Sequence, residues 1–465
     1  MTRHSKKIGE GQVSMRHSNL DAQQLEQGYN CDIAIIGGGP VGASLALALR
    51  DSGLDICVLE ARPANVTSND ERALALSYGS RLLLERLGIW NSLPDASSIR
   101  SIHISQRRSF GRAVLRAAEL NVPELGYVLP YQALQSALDM ALQHSSVTAI
   151  YGASVTRLSF QRVGAGIPSV GGTPVQLFPQ SAGSAITSDL ASVVDSPSRM
   201  ASSSTRNVPQ LHGSTDCAAI GYRQKGAEYT LRTRLAVVAD GGKLLAQQFP
   251  PEVRDYGQSA LITHITCSLP QTDMAYERFT AQGPVALLPY LDGYELVWTA
   301  AHERAQEMLA WDDAKFLSEL QRHFGDRVGT FLTVGKRTCF PLGLKRAPQQ
   351  SPMPHTVLLG NAAQTLHPVA GQGLNMGLRD AWELAQEILS CKPDALGGES
   401  MLAVYRKSRR LDRNAGIRFT DSLVRLFSND WPLVDYGRAA ALSALDCLPF
   451  AKRFVARRMM FGANG

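Results

Sequence analysis

Short, almost wholly apolar runs alternate with glycine-rich breaks along the chain, and that pattern predicts most of its elements. Residues 31–36 (CDIAII) are an apolar, β-branched run of the length and composition of a buried parallel strand. Glycines follow at 37–39, then a helical run from Ala43 to Arg50, then a second strand over 55–59 (DICVL) that ends at Glu60. Together these make a β-α-β unit of about 30 residues, the length a parallel crossover needs. The spacing from Arg81 to Leu87 predicts another helix, closed by Gly88. Residues 219–223 and 228–238 read as a hairpin whose second strand runs into LAVVADGG. Alternation over 256–300 predicts sheet. The run 356–360 (TVLLG) predicts one more buried strand, followed by a Gly-rich turn and a helix through about Ser390. The tail from 401 is helical. Residues 161–216 hold neither a period of 2 nor one of 3.6; Ser, Gly, Pro and Thr dominate, Phe178 is the single aromatic, and so little apolar area cannot offset ordering entropy. That segment reads as a flexible low-complexity insertion. There are no internal repeats.

Composition narrows the picture. At 465 residues the chain is long for one core and suggests two or three domains. With 44% hydrophobic and 19% charged residues it buries a sizeable core, which excludes wholesale disorder. A net charge of +6 is too small to point to nucleic acid. Residues 401–465 alone, with 12 Lys/Arg against 5 Asp/Glu, carry more than that. Two readings of this basic tail stand: a solvated helical face, or a face that meets a membrane surface or a partner. The stretch from Lys452 to Phe461 mixes cations with large apolar residues as interfacial segments do. Seven widely spaced cysteines without a CxxC pair argue against a disulfide framework and a zinc site, and suit a reducing cytoplasm. No cluster of metal ligands stands out. Residues 1–30 are a polar leader without the apolar core of a secretory signal, and Met15 is a second candidate start. The charge-free stretch 33–49 falls short of the roughly 20 residues of a spanning helix and is broken by three glycines, so no transmembrane segment is expected.

Three motifs carry the chemistry. The first is GGGPVG at 37–42. Gly37 permits a tight turn, Gly39 lets the backbone approach a pyrophosphate, and Gly42 lets helix and strand pack closely, while free N–H groups at the helix start face phosphate oxygens. Glu60, 18 residues past Gly42 and at a strand end, is placed to accept from both ribose hydroxyls and disfavours a 2′-phosphate, so the ligand is FAD or NAD rather than NADP. The second motif is Ala239-Asp240-Gly241 at the end of a strand. The third is GNAAQTLHPVAGQGLNMGLRDA at 360–381.

With these motifs the chain resembles the FAD-dependent aromatic hydroxylases of the para-hydroxybenzoate hydroxylase type, and within them the ubiquinone-biosynthesis branch, most of all its 2-polyprenyl-6-methoxyphenol hydroxylases. The resemblance covers about 31–160 and 217–430. It includes ERALALSYGSRLLLERLGIW at 71–90, LGYVL at 125–129 and YERFTAQGPVALLPY at 276–290. It implies an α/β fold in which a Rossmann-like FAD-binding domain is interleaved with a mixed-sheet substrate domain, ahead of a helical C-terminus. The expected division is a leader over 1–30; FAD-binding segments at 31–105, 125–160, 217–250 and 345–400; substrate-domain segments at 106–124 and 251–344; the insertion at 161–216; and basic helices over 401–465.

The resemblance also implies roles. Gly37, Gly39, Gly42, Glu60, Arg72, Gln132, Asp240, Gly241, Asn361, Gly371, Gly373 and Asn375 would bind FAD. Asn361 stands where most of the family has Asp on the ribitol; it still donates and accepts but carries no charge. Residues 367–373 would form the loop beside the isoalloxazine, which makes His367, Pro368, Gly371 and Gly373 the candidates nearest the chemistry. Gly371 and Gly373 would bring backbone N–H groups to the N1–C2=O edge, the helix that starts near Gly373 would turn its positive end to reduced flavin, and Asn375 would bond the ring edge. Plainer readings stand beside these: His367 as a cap before Pro368, Arg72 in a surface ion pair, Gln132 on a helix surface, Asp240 as a turn residue. The implied reaction is hydroxylation of a polyprenylated phenol: NAD(P)H, a transient visitor without its own Rossmann fold, reduces the flavin, O2 adds at C4a, and the hydroperoxide passes its distal OH to the ring. The implied place is the cytoplasm, peripheral on the inner face of the cytoplasmic membrane, in association with other ubiquinone-biosynthesis enzymes. The alternatives are a flavin hydroxylase of a small soluble aromatic and a non-catalytic flavin-binding subunit of a biosynthetic complex.

Overall fold

The computed structural model describes residues 30–462 except 65, 67–69, 71, 94–95, 108, 163–215, 367–370 and 428–431. The leader, apart from Asn30, and the insertion, apart from its three flanking residues, lie outside those residues. Gln161, Arg162 and Asp216, assigned to the insertion by composition, are strand residues: Ser154–Arg162 and Asp216–Gln224 pair antiparallel, with Arg162 opposite Asp216.

Among the described residues the first sheet has seven strands. Asn30–Ile36 lies parallel between Ile56–Glu60 and Ala227–Val238, and Thr148–Tyr151 and Thr356–Leu358 extend the parallel part. The 227–238 strand then turns antiparallel into Asp216–Gln224 and Ser154–Arg162. Helices Pro40–Leu49, Tyr131–Gln143 and Gln372–Ser390 cover one face and bury Ile33, Ile35, Val58, Val237 and Val357. Burial on both faces explains why these strands read as continuous apolar runs rather than alternating ones.

Among the described residues the second sheet has nine strands and is antiparallel except where Ser101–Gln106 runs parallel to Met274–Thr280. Its strands Glu252–Cys267, Met274–Thr280, Gly283–Tyr290 and Gly293–Ala301 have one side packed by helix Asp313–Phe324 around Trp298, Phe316 and Leu320. Residues 101–105 therefore belong to this sheet and not to the first segment at 31–105. Only Arg100 separates them from strand Ser97–Ile99 of a small three-stranded sheet, so no break in pattern marks the crossing.

Three helices, Glu399–Phe427, Pro432–Cys447 and Pro449–Phe461, close the chain. The last returns to the first half of the molecule: Ser77 Oγ donates to the Met460 carbonyl at 3.0 Å, and a Cβ on Gly79 would sit 2.4 Å from that same oxygen. Among the described residues no helix is long and apolar enough to cross a membrane.

Candidate functional site

The C-terminal ends of three adjacent parallel strands bring the first two motifs together. Gly37 leaves its strand at φ +103°, where a Cβ would press within 2.6 Å of the Ala239 carbonyl oxygen. A Cβ on Gly42 would lie 2.0 Å from the Gly37 oxygen. Both glycines are thus required by backbone packing. Gly39 is different: a Cβ there meets nothing within 4 Å. It is the N-cap of helix Pro40–Leu49, no side chain caps that helix, and the open space before it fits a pyrophosphate.

Glu60 faces this turn. Its Oε2 accepts from the Gly38 amide at 2.6 Å and its Oε1 from the Arg62 amide at 2.8 Å. The Gly38 carbonyl is held from another element: Gln135 Nε2 donates to it at 2.9 Å, and the same amide group reaches Asp139. Gln132, the expected cofactor residue, stands on the first turn of the Tyr131–Gln143 helix, and buried Gln135 one turn further on is a residue the sequence pattern does not single out. An amide on the apolar face of a helix was the available signal.

Asp240 accepts from Gly242 N at 2.8 Å and Leu244 N at 2.7 Å, which fixes the loop that carries Gly241 at φ +81°. That loop lies against the Asn361 turn, since a Cβ on Gly242 would come 3.2 Å from the Asn361 carbonyl oxygen. The Asn361 side chain is exposed. Arg72 pairs with Asp70 through Nε at 2.7 Å and lies 5.1 Å from the Phe340 ring centroid.

Of the third motif, His367 and Pro368 fall outside the described residues. Gly371 caps the helix Gln372–Ser390 in the left-handed region at φ +60°, and Gly373 in the first turn faces open space. Asn375, 2% exposed, uses its whole side chain on the protein: Oδ1 accepts from Ser77 N at 2.8 Å and Ser80 Oγ at 2.7 Å, while Nδ2 donates to the Ala75 and Gly371 carbonyls. These bonds tie the helix start to the small sheet.

A cavity of about 280 Å³ opens from this helix start. The second sheet forms one wall and the last two helices another, with Leu442, Leu445, Val455 and Met459 facing in. A cross-strand row runs Ile104, Glu277, Ala286, Val297 along the sheet wall. Glu277 forms no hydrogen bond or ion pair among the described residues, and its Oε1 is sealed from solvent. Burial in this apolar wall pushes its carboxyl up to about 7. Sequence reasoning missed it because a single Glu within alternating sheet looks like a solvent-face residue.

Three comparisons bear on this arrangement. The model of the FAD binding domain family matches residues 30–420. The chain is 29% identical to the ubiquinone hydroxylase UbiL of Rhodospirillum rubrum, over 92% of this chain and 89% of that protein. It is also 29% identical to 3-demethoxyubiquinol 3-hydroxylase of Escherichia coli, over 91% and 96%. The crystal structure of p-nitrophenol 4-monooxygenase PnpA from Pseudomonas putida shares the fold at a TM-score of 0.67 and 14% identity, covering 94% of this chain and 99% of that one. With the match spanning the glycine turn, Glu60, the Asp240 loop and the whole mixed sheet, the chain belongs to the FAD binding domain family.

Proposed function

We propose that this chain is an FAD-dependent monooxygenase that hydroxylates the ring of a polyprenylated phenol in ubiquinone biosynthesis. The observation that carries the reading is the apolar cavity between the start of helix Gln372–Ser390 and the two C-terminal helices, in a chain whose relatives bear ubiquinone hydroxylase names. FAD, when bound, supplies the redox chemistry with O2 and a nicotinamide reductant.

Gly37, Gly39 and Gly42 shape the pyrophosphate turn, and Glu60 takes the ribose. Asp240 and Gly241 line the neighbouring loop with Asn361, while Arg72 and Gln132 flank the cofactor. Gly371 and Gly373 would present backbone donors to the flavin, and His367 and Pro368, outside the described residues, stay candidates beside them. Asn375 acts by holding Gly371 in position. The cavity wall excludes water and receives the ring. There Glu277 takes the hydrogen bond of the phenol hydroxyl, a polar contact within a mostly apolar wall. Among the described residues the wall contains no lysine or arginine for a substrate carboxylate, which favours a lipid phenol over a small aromatic acid.

The substrate reaches the site from the bilayer. Helices that turn Leu442 and Val455 inward leave Tyr436, Phe450 and Phe454 exposed beside Arg453 and Arg457, a composition suited to a membrane surface on the cytoplasmic side and to neighbouring biosynthetic enzymes. The test is quinone profiling of a strain that lacks this chain, with flotation of the protein on anionic vesicles. Accumulation of a prenylated phenol one hydroxyl short of the product supports the reading; an unchanged quinone profile refutes it.

A further inference from the structure

We propose that a second cavity, between the end of strand Thr338–Arg346 and helix Glu399–Phe427, is a binding site for a phosphate-type anion. It measures about 450 Å³ and shares no residue with the apolar cavity. Arg346, Arg406, Arg410 and Arg413 stand in its wall against one carboxylate, Glu399, which is already paired with Arg406.

The polar groups around it lack partners. Arg346 Nε, Gln350 Nε2, Ser351 Oγ and Arg413 Nε are each sealed from solvent without a hydrogen bond. Buried polar groups are nearly always satisfied, and leaving one unmade destabilises the fold. These four come from a strand end, a loop and a helix, so no local feature of one segment explains them. Three are donors only and the hydroxyl can donate. Being sealed, these atoms do not themselves meet the cavity; its open wall is carried by the other parts of the arginine side chains, and what suits those is a ligand that offers several acceptor oxygens and negative charge. A phosphate group does this, and guanidinium forks match its geometry.

Charge points the same way. Arg413 is 6% exposed, and its Nη2 holds the Ala347 and Ala363 carbonyls at 2.7 and 3.1 Å. Burial, then the charge of Arg346, bring its guanidinium down to about 10 even with Asp380 nearby. Arg346 and Arg410 form no ion pair or hydrogen bond through their side chains among the described residues. An anion seated among the three would be attracted by all of them and would offset the repulsion between Arg346 and Arg413, which Asp380 and Glu252 also oppose.

A soluble phosphate ester and the headgroup of an anionic phospholipid present the same chemistry, and the experiment separates them. FAD-saturated, full-length protein is titrated at constant ionic strength with inorganic phosphate, with glycerol 3-phosphate, and with phosphatidylcholine vesicles containing or lacking phosphatidic acid. Binding is read by calorimetry and by melting temperature. Arg346→Gln and Arg410→Gln are the variants; Arg413 is left alone because it braces two carbonyls. The expected result is saturable phosphate binding by the wild type, weakened about 10- to 100-fold in each variant. Tighter binding of glycerol 3-phosphate supports the site with a soluble ligand; tighter binding of phosphatidic acid vesicles supports it with a lipid headgroup. Absence of saturable binding to any probe, or equal binding by wild type and both variants, overturns the proposal. Should Arg346→Gln fail to fold, exposed Arg410 carries the test alone.

Discussion

Gln135 holds the carbonyl of Gly38 at 2.9 Å, across 97 residues of sequence. With Glu60 on the amide of the same residue at 2.6 Å, both ends of Gly38 are fixed before any ligand arrives. Gln135→Leu keeps the volume and removes one of the two restraints. Its FAD affinity should fall about 5- to 10-fold, the equivalent of one ordinary hydrogen bond. Titration of apoprotein with FAD measures this; an unchanged affinity would show that Glu60 alone positions the turn.

Gly39 and Gly42 should fail in different ways. Valine at 39 enters open space, so the apoprotein should fold and melt normally yet arrive colourless, the side chain occupying the place of the pyrophosphate. Alanine at 42 would strike the Gly37 oxygen at 2.0 Å, so that variant should lose stability itself. Flavin content and apoprotein melting temperature separate the two. A yellow Gly39→Val protein would refute the placement of the pyrophosphate.

Gly373→Val tests the other end of the cofactor. The position faces open space in the first turn of its helix, and flavin would still be gripped at Gly37 and Glu60. Occupancy should remain substantial, the flavin reduction potential should fall, and product formation should drop by about 10²–10³, the usual cost of one preorganised donor. Full activity at an unshifted potential would place this loop away from the ring.

Glu277 makes stability depend on pH with a defined sign. Its carboxyl titrates at about 7 in the native state against 4.5 as the ordinary value, so the native protein binds this proton more tightly than the unfolded chain. Stability from this group is present below pH 4.5 and declines as pH rises through 7, to a limit on the order of 3 kcal/mol. Glu277→Gln cannot lose a proton there. It should melt like wild type near pH 4.5 and above it at pH 8. Parallel melting curves across that range would mean the carboxylate is solvated after all.

The insertion is testable by deletion. Arg162 and Asp216 face each other in an antiparallel ladder, so the ends of the intervening segment already meet. Removing 165–212 leaves enough chain for a hairpin turn, and flavin content and melting temperature should stay close to wild type. A large drop in melting temperature would show that the segment packs on the body.

The sequence by itself determined the dinucleotide end of this protein. Strand, glycine turn, helix and Glu60 lie within about 30 consecutive residues, and each is set by local rules: burial on two faces for the strand, absence of a Cβ for the turn, a strand end for the acid. The same locality made the hairpin ending at Val238 and the helix ending at Ser390 legible. Tertiary structure alone decided the rest. Gln135 and Gly38, Asn375 and Ser77, and Glu277 and Ile104 are 97, 298 and 173 positions apart, and no periodicity links them. A helical amide or a strand carboxylate has the same local signature whether it faces solvent or a cavity. Its meaning comes from what the fold lays against it: for Glu277 the apolar strand neighbours Ile104 and Ala286 and a cavity closed by two C-terminal helices, and for Arg346, Gln350 and Arg413 one another.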